Sequence, residues 1–384
     1  MFGFASSQKQ SVVGSASWYD WDGSTDGDWI TLSISAQSQF LRNTTTSIFE
    51  NQLVTGYTKN STRMQFNFIE SNGLSLSSRT VFEVSGNQTH MISLGSAGIT
   101  PKLWAGTCVN NIRVAYYLQT TVSGLSVFSR INVPVSNNDA LNRDYAINSF
   151  SDIMVYGVRT SFIGQGFFNG STIQTRAINV GSTHQADNNI SINPIPVSGS
   201  NEYIALSMAR NGGTATNSWN LRTVRVDKSN SLLNASNSYS NPNGRITALH
   251  HIKPLDENRW FIAGDLNQAN ARPSVTVVSA KTGINVATTL TLDSDDTSTV
   301  NFEKINDNLQ FVIWRNNSTN KVFGQVVEVS DLTLTPLNDP VELYDGNTPT
   351  VQRISCAKLN DNHLAVIMRM SNSNLLGKVI NNVV

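Results

Sequence analysis

The sequence has 384 residues, with 27 basic and 27 acidic side chains and a formal net charge of zero. Charged residues make up 14% and hydrophobic residues 39% of the chain. This apolar content is enough for a large core, in one large domain or two of ordinary size. The zero net charge argues against a nucleic-acid partner, because phosphates require a basic surface.

Nothing in the sequence predicts a membrane span or a secretion signal. No uncharged apolar stretch approaches the ~18 residues that a spanning helix needs. Residues 1–10 lack the basic start and the apolar run of a signal peptide. The two cysteines, Cys108 and Cys356, lie far apart without metal-ligand spacing, which predicts two buried thiols.

Short apolar runs recur along the whole chain and are separated by clusters of Asn, Asp, Gly and Ser. They are rich in β-branched and aromatic residues and have the length of strands. Several are apolar at consecutive positions, which is typical of strands covered on both faces. The sequence therefore predicts an all-β protein, in which only residues 139–150 are allowed a turn or two of helix. The eight clearest runs are 29–34, 64–69, 112–118, 153–158, 203–208, 260–264, 309–314 and 364–368.

Three similar polar turns precede the last three of these runs: 253–258, 304–308 and 358–362. Each ends in an asparagine, and these asparagines are 50 and 54 residues apart. Asn and Asp suit tight turns, because their side chains hydrogen-bond to their own main chain. The spacing indicates a structural repeat.

A repeat of about 40–55 residues with about four strands resembles a blade of a β-propeller. The resemblance implies seven blades within residues 50–384, and residues 1–49 as a closing or docking arm that supplies a strand to the last blade. Eight blades, with the Trp29 run in a blade of its own, are the alternative, and two β-sandwiches are a third arrangement. The sequence lacks the motifs of the named propeller subfamilies. The resemblance is to the architecture alone and assigns no active residues.

An acidic cluster near the N-terminus predicts a candidate calcium site. Four carboxylates fall within nine residues that also contain two glycines, and oxygen ligands on a tightly turning loop suit Ca²⁺. The spacing is not that of an EF-hand, and the alternative is a solvated turn whose aspartates cap backbone amides. The candidate ligands are Asp20, Asp22, Asp26 and Asp28.

Aromatic residues predict a candidate surface for sugar binding. Tyr19 and Trp21 lie within or beside the acidic cluster, and Trp219 follows a polar stretch, residues 211–218. Exposed rings of this kind stack on sugar faces. For Trp260 and Trp314, which lie inside apolar runs, we expect core packing instead.

Motifs of catalysis are absent, so we expect a protein that is not an enzyme. No histidine lies in an H-E-x-x-H zinc pattern, and no G-x-S-x-G elbow occurs. Glu202 and Glu257 fall in predicted turns, and a propeller glycosidase that uses two carboxylates stays an alternative.

The neutral composition, rich in Asn, Ser and Thr, resembles that of bacteriophage tail, fibre and spike proteins. Such proteins reach the outside by lysis and need no signal peptide. The resemblance implies a non-enzymatic virion component that contacts other virion proteins, forms a homo-oligomer and binds a host surface glycan or receptor, without membrane insertion. A soluble lectin is the alternative in the same fold.

Overall fold

The structure is a computed structural model, and strands account for most of the chain that it describes. The described residues are 18–33, 45–49, 52–60, 63–86, 90–96, 102–109, 112–121, 124–132, 146–150, 153–158, 162–168, 173–179, 191–196, 202–210, 219–227, 232–241, 251–264, 266, 272–279 and 283–382. The prediction of an all-β protein is confirmed. Residues 146–150, where a helical turn was allowed, form a strand, and residues 139–145 lie outside the described part.

A short 3-10 helix (Trp18–Asp20) and strand β1 (Ile30–Ser33) come first in the described chain. The first sheet follows, with β2 (Thr45–Phe49), β3 (Gln52–Asn60), β4 (Arg63–Asn72) and β5 (Ser75–Ser85). The second has β6 (His90–Ser96), β7 (Lys102–Val109), β8 (Ile112–Thr121) and β9 (Gly124–Asn132). The third has β10 (Ala146–Phe150), β11 (Ile153–Val158), β12 (Phe162–Phe168) and β13 (Ile173–Asn179).

The remaining sheets repeat this order. The fourth has β14 (Ser191–Pro196), β15 (Glu202–Arg210), β16 (Trp219–Asp227) and β17 (Leu232–Asn241). The fifth has β18 (His251–Pro254), β19 (Arg259–Gly264), β20 (Ser274–Ser279), β21 (Asn285–Val286) and β22 (Leu290–Thr291). The sixth has β23 (Thr297–Lys304), β24 (Leu309–Asn316), β25 (Val322–Ser330), β26 (Thr333–Pro336) and β27 (Val341–Tyr344). The seventh has β28 (Val351–Lys358), β29 (His363–Met370) and β30 (Leu375–Asn381).

The strands described thus form seven antiparallel sheets, and the seventh gains its fourth strand from the N-terminus. Strand β1 pairs antiparallel with β30, with Ile30 opposite Gly377 and Thr31 opposite Leu376. The predicted pairing of the N-terminal segment with the last sheet is confirmed. The alternative in which the Trp29 run has a sheet of its own is wrong, because that run is the outer strand of the seventh sheet.

Neighbouring sheets meet through their first strands. The first strand of each sheet contacts that of the next sheet along the chain, from β2 and β6 through to β23 and β28. Strand β28 of the seventh sheet also contacts β2 of the first. The first sheet starts at Thr45, so the expected boundary between residues 49 and 50 falls between two strands of one sheet.

Strand β24 explains why the apolar runs are continuous. Phe311 and Ile313 belong to a hydrophobic cluster shared with the seventh sheet. Val312 and Trp314 point the other way, into a cluster shared with the fifth sheet. Both faces of the strand are therefore buried, as the pattern predicts. Each such buried side chain contributes about 1.5–3 kcal/mol.

The eight apolar runs do not all occupy the same place in their sheets. Five of them, from 153–158 onward, lie in the second strand of a sheet. The runs 64–69 and 112–118 lie instead in the third strands, β4 and β8. A second and a third strand are both covered on two faces, so apolar content alone does not distinguish them.

Candidate functional site

The predicted site residues near the N-terminus lie in one segment, residues 18–33, which we call the N-terminal clasp. Beyond the pairing of β1, it binds the end of β30 through further hydrogen bonds of main-chain and side-chain groups. The Gly27 N–H donates to Val379 O at 2.9 Å. The Thr25 hydroxyl donates to Asn381 O at 3.1 Å, and the Asn381 side-chain amide donates back to Thr25 O at 3.2 Å.

The N-terminal clasp also contacts the sixth sheet. The indole N–H of Trp29 donates to Leu343 O at 2.6 Å. The rings of Trp21 and Phe311 make a T-shaped contact, with 5.2 Å between centroids. These aromatic side chains anchor the segment across a sheet with which it forms no strand pair.

On its other side the N-terminal clasp reaches the first sheet. The Ser78 hydroxyl of β5 donates to Leu32 O at 2.6 Å. A Cβ atom on Gly27 would lie 2.2 Å from Leu74 O, in the turn between β4 and β5. The backbone approach at this point therefore requires glycine. One segment thus joins the first, sixth and seventh sheets.

Asp26 lies at the centre of these contacts, with 1% of its side chain exposed. Its Oδ1 accepts from Trp21 Nε1 at 3.2 Å and from the Asn381 N–H at 2.9 Å. Its Oδ2 lies 3.8 Å from Lys378 Nζ. Burial raises the pKa of the Asp26 carboxyl, although these hydrogen bonds and the lysine oppose the shift.

The four aspartates do not come together as a metal site. Asp22 accepts from the Ser24 N–H at 2.8 Å, and hydrogen bonding by Ser24 lowers the pKa of Asp22. Asp20 and Asp28 are exposed, whereas Asp26 is buried against Lys378. Within the described part of the chain, no three His, Cys, Asp or Glu side chains are grouped so that they could hold a metal ion. The four aspartates therefore do not share one set of ligand positions, because Asp26 is turned towards a backbone N–H and an indole N–H.

The aromatic residues of the clasp differ in exposure. Trp18 and Trp21 are 5% and 4% exposed, whereas Tyr19 is 45% exposed. The prediction that Trp21 offers an exposed ring is wrong, because Phe311 covers it. Tyr19 is exposed, as predicted. Trp219 begins β16 opposite Arg210 and Asn241, and its side chain lies outside the described residues.

Tyr19 is held at the surface by an acidic side chain of the sixth sheet. Its hydroxyl donates to Glu328 Oε1 at 2.8 Å, and this bond raises the pKa of Tyr19. The adjacent Trp18 donates its indole N–H to Asp361 O at 2.8 Å. Tyr19 therefore lies beside the polar turns of the sixth and seventh sheets.

The three polar turns share one local geometry. Asp256 Oδ1 accepts from the N–H groups of Asn258 and Arg259, at 2.8 and 2.9 Å. In the next turn, Asn306 Oδ1 accepts in the same way from the N–H groups of Asn308 and Leu309, at 2.9 Å each. In the seventh sheet, Asn360 Oδ1 accepts from the Asn362 N–H at 2.9 Å. The predicted side-chain–main-chain bonding of these turns is confirmed.

The lysine that begins each of the last two turns contacts the preceding turn. Lys304 Nζ donates to Leu255 O, and Lys358 Nζ donates to Ile305 O at 2.7 Å. Lys358 also pairs with Asp361 at 2.7 Å. Sequence reasoning identified these lysines as parts of the turns but missed that they join adjacent sheets. Their recurrence before the turns of successive sheets was the available signal.

Two further expectations concern cysteine and membranes. Cys356 is buried, as expected, and burial raises the pKa of its thiol. The side chain of Cys108 lies outside the described residues. In the part of the chain that the structure covers, no helix has the length and apolar character to cross a membrane.

Comparison with known proteins gives similarity in fold and none in sequence. No protein-family model matches the chain, and no curated protein matches it significantly. A solved protein from Lactobacillus plantarum matches 79% of this chain and 85% of its own, with a TM-score of 0.52 and 8% identity. A functionally unknown protein from Desulfotomaculum acetoxidans matches 83% and 92%, with a TM-score of 0.52 and 11% identity. The core factor of S. cerevisiae matches 85% of this chain and 53% of its own, with a TM-score of 0.51 and 9% identity. At these identities the likeness concerns the fold alone.

Proposed function

We propose that the seven sheets are the blades of a seven-bladed β-propeller and that the N-terminal clasp closes it. Three observations support this arrangement. The first strands of successive sheets are neighbours, and β28 contacts β2. Ala365 and Ile367 of β29 pack in one hydrophobic cluster with Ile69 and Leu76 of the first sheet. A circular arrangement covers both faces of every sheet without leaving an open end.

Electron microscopy of the purified protein tests the architecture. Class averages viewed along the central axis should show a closed ring with seven lobes. Two stacked layers, an open row of sheets or another number of lobes would contradict the proposal.

We further propose that the propeller is a non-enzymatic binding component of a virion, which presents its loops to a host surface glycan or receptor. The observation that carries this proposal is the set of polar turns that recur in one geometry in three successive sheets, two of which lie beside the exposed Tyr19. Loops fixed on a rigid scaffold are the usual place for recognition. The low charge and the content of Asn, Ser and Thr support the assignment to a particle surface.

The test measures what the protein binds and whether it is located on virus particles. Fluorescently labelled protein should bind host cells or a glycan array without cleaving the glycan, and antibodies against it should label intact particles. Binding to free monosaccharides without any particle labelling would favour the soluble lectin. Glycan cleavage that is lost in Glu202→Gln or Glu257→Gln would favour the glycosidase.

A further inference from the structure

We infer that Tyr19 and Glu328 form a binding site for an uncharged saccharide, with the tyrosine ring as the stacking surface and the carboxylate as the acceptor for sugar hydroxyls. This inference rests on the proposed binding function and specifies its ligand class. Neither residue takes part in the strand pairing between β1 and β30.

Three aromatic side chains that lie within four residues differ sharply in exposure. Trp18 and Trp21 are almost fully buried and fasten the N-terminal clasp to the sheets, whereas Tyr19 keeps nearly half of its surface in solvent. A ring that served only as a fastener would gain more by burial, at roughly 25 cal/mol for each Å² of apolar surface. The exposed part of the Tyr19 side chain is the surface that we assign to the ligand.

The ring of Tyr19 is oriented by contacts with distant parts of the chain. Its hydroxyl is bonded to Glu328 Oε1, and its neighbour Trp18 is bonded to Asp361 O. Both contacts come from residues more than 300 positions away in the sequence. Ligand binding to a side chain that is already ordered costs little conformational entropy, which is why tyrosine is frequent in recognition surfaces.

Glu328 has hydrogen-bonding capacity beyond its bond with Tyr19. Among the described residues, Tyr19 alone donates to its side chain, and it does so through Oε1. A carboxylate accepts through both oxygens, so Oε2 can take a hydroxyl from a ligand. An aromatic face beside a charged acceptor suits a pyranose ring, which is apolar on its face and carries hydroxyls at its edge.

The charges around Tyr19 select against anionic sugars. Asp307 and Asp361 are exposed on the neighbouring turns, but they are paired with Lys304 and Lys358. Glu328 carries a negative charge with no ion pair among the described residues, and the exposed Asp20 follows Tyr19 directly. The local potential is therefore negative and repels carboxylated or sulfated glycans.

The test is a glycan array, followed by affinity measurements on the best uncharged glycan, with the full-length protein and four variants. Tyr19→Ala should weaken binding about tenfold or more, because truncation removes the stacking surface. Glu328→Gln should weaken it about fivefold, because a charge-assisted hydrogen bond becomes a neutral one. Tyr19→Phe keeps the stacking ring but loses the hydroxyl that bonds to Glu328, so it should weaken binding less than Tyr19→Ala does. Val127→Ala removes an exposed apolar side chain from the second sheet and should bind as the wild type does.

Thermal melting of every variant separates binding from folding. If Tyr19→Ala unfolds, the stably folded Glu328→Gln decides the outcome. Wild-type affinity in both Tyr19→Ala and Glu328→Gln would overturn this site and leave the proposed binding function intact. Selective binding of the wild type to anionic glycans, or only to a protein receptor, would also overturn it. Binding to no glycan, cell or particle would overturn the site and the proposed function together.

Discussion

The backbone N–H of Asn381 donates to Oδ1 of Asp26 at 2.9 Å, across 355 residues of sequence. The same oxygen accepts from the indole of Trp21, so one buried carboxylate connects the N-terminal clasp with the last strand of the chain. Because these contacts are buried, they act where the dielectric is low and a lost partner is costly. Asp26 is therefore the most direct point at which to test the clasp.

Replacing Asp26 with alanine should lower the free energy of unfolding by about 2 kcal/mol, because two buried N–H groups lose their acceptor. Urea denaturation followed by tryptophan fluorescence measures the loss. The matched control is Asp28→Ala, since Asp28 is exposed on the same segment and its replacement should change the stability by no more than about 0.5 kcal/mol. Equal losses in the two variants would show that the contacts of Asp26 do not fasten the clasp.

The carboxyl of Asp26 makes the free energy of unfolding depend on pH. Burial raises the pKa of Asp26 above its ordinary value of 3.8. For an acid whose pKa is higher in the folded state, the stabilising contribution is full below the unfolded pKa and is lost as pH rises through the folded pKa. Compared with Asp26→Asn, which cannot ionise, the wild type should lose stability from about pH 4 upward. Denaturation of both proteins from acidic to neutral pH measures the difference, and a constant difference would contradict the shift.

Gly27 tests how closely the N-terminal clasp approaches the first sheet. In Gly27→Ala the new Cβ would lie 2.2 Å from Leu74 O, a backbone atom that cannot move aside alone. We expect a loss of about 1–3 kcal/mol in the free energy of unfolding. Gly283→Ala is the control, because a Cβ there meets nothing within 4 Å. Similar stability of the two variants would show that the clasp does not pack against the turn before β5.

A feature of this structure is predictable from the sequence when the residues that determine it are close together along the chain. The turn at Asn306 was predictable, because its hydrogen bonds involve residues two and three positions away. The burial of Trp21 was not, because the covering ring belongs to Phe311, in a strand of the sixth sheet. The arrangement of the acidic cluster was not predictable either, for the same reason. Asp26 binds Asn381, and a local spacing pattern does not contain that contact.

The polar turns allow a prediction about local stabilisation. Asn306→Ala should destabilise the protein by about 1–2 kcal/mol, because the N–H groups of Asn308 and Leu309 lose their acceptor. Asn306→Asp should be tolerated, since Asp256 makes the same bonds in the preceding turn. Thermal melting compares both Asn306 variants with Asn308→Ala. Asn308 is exposed, and its side chain should contribute less to stability. A larger loss in Asn308→Ala than in Asn306→Ala would contradict this account of the turn.

The lysine contacts between sheets give the last prediction. Lys358→Met should lower the free energy of unfolding by about 1 kcal/mol, because the bond from Lys358 Nζ to Ile305 O joins the seventh sheet to the sixth. The ion pair with Asp361 should add little, since pairs at the surface are solvated and screened. Asp361→Asn should therefore unfold like the wild type. Lys321→Met is the control, because Lys321 pairs with Glu342 within the sixth sheet. This variant should lose less free energy of unfolding than Lys358→Met. If urea denaturation shows the largest effect in Asp361→Asn or Lys321→Met, the carbonyl contact is not what couples the two sheets.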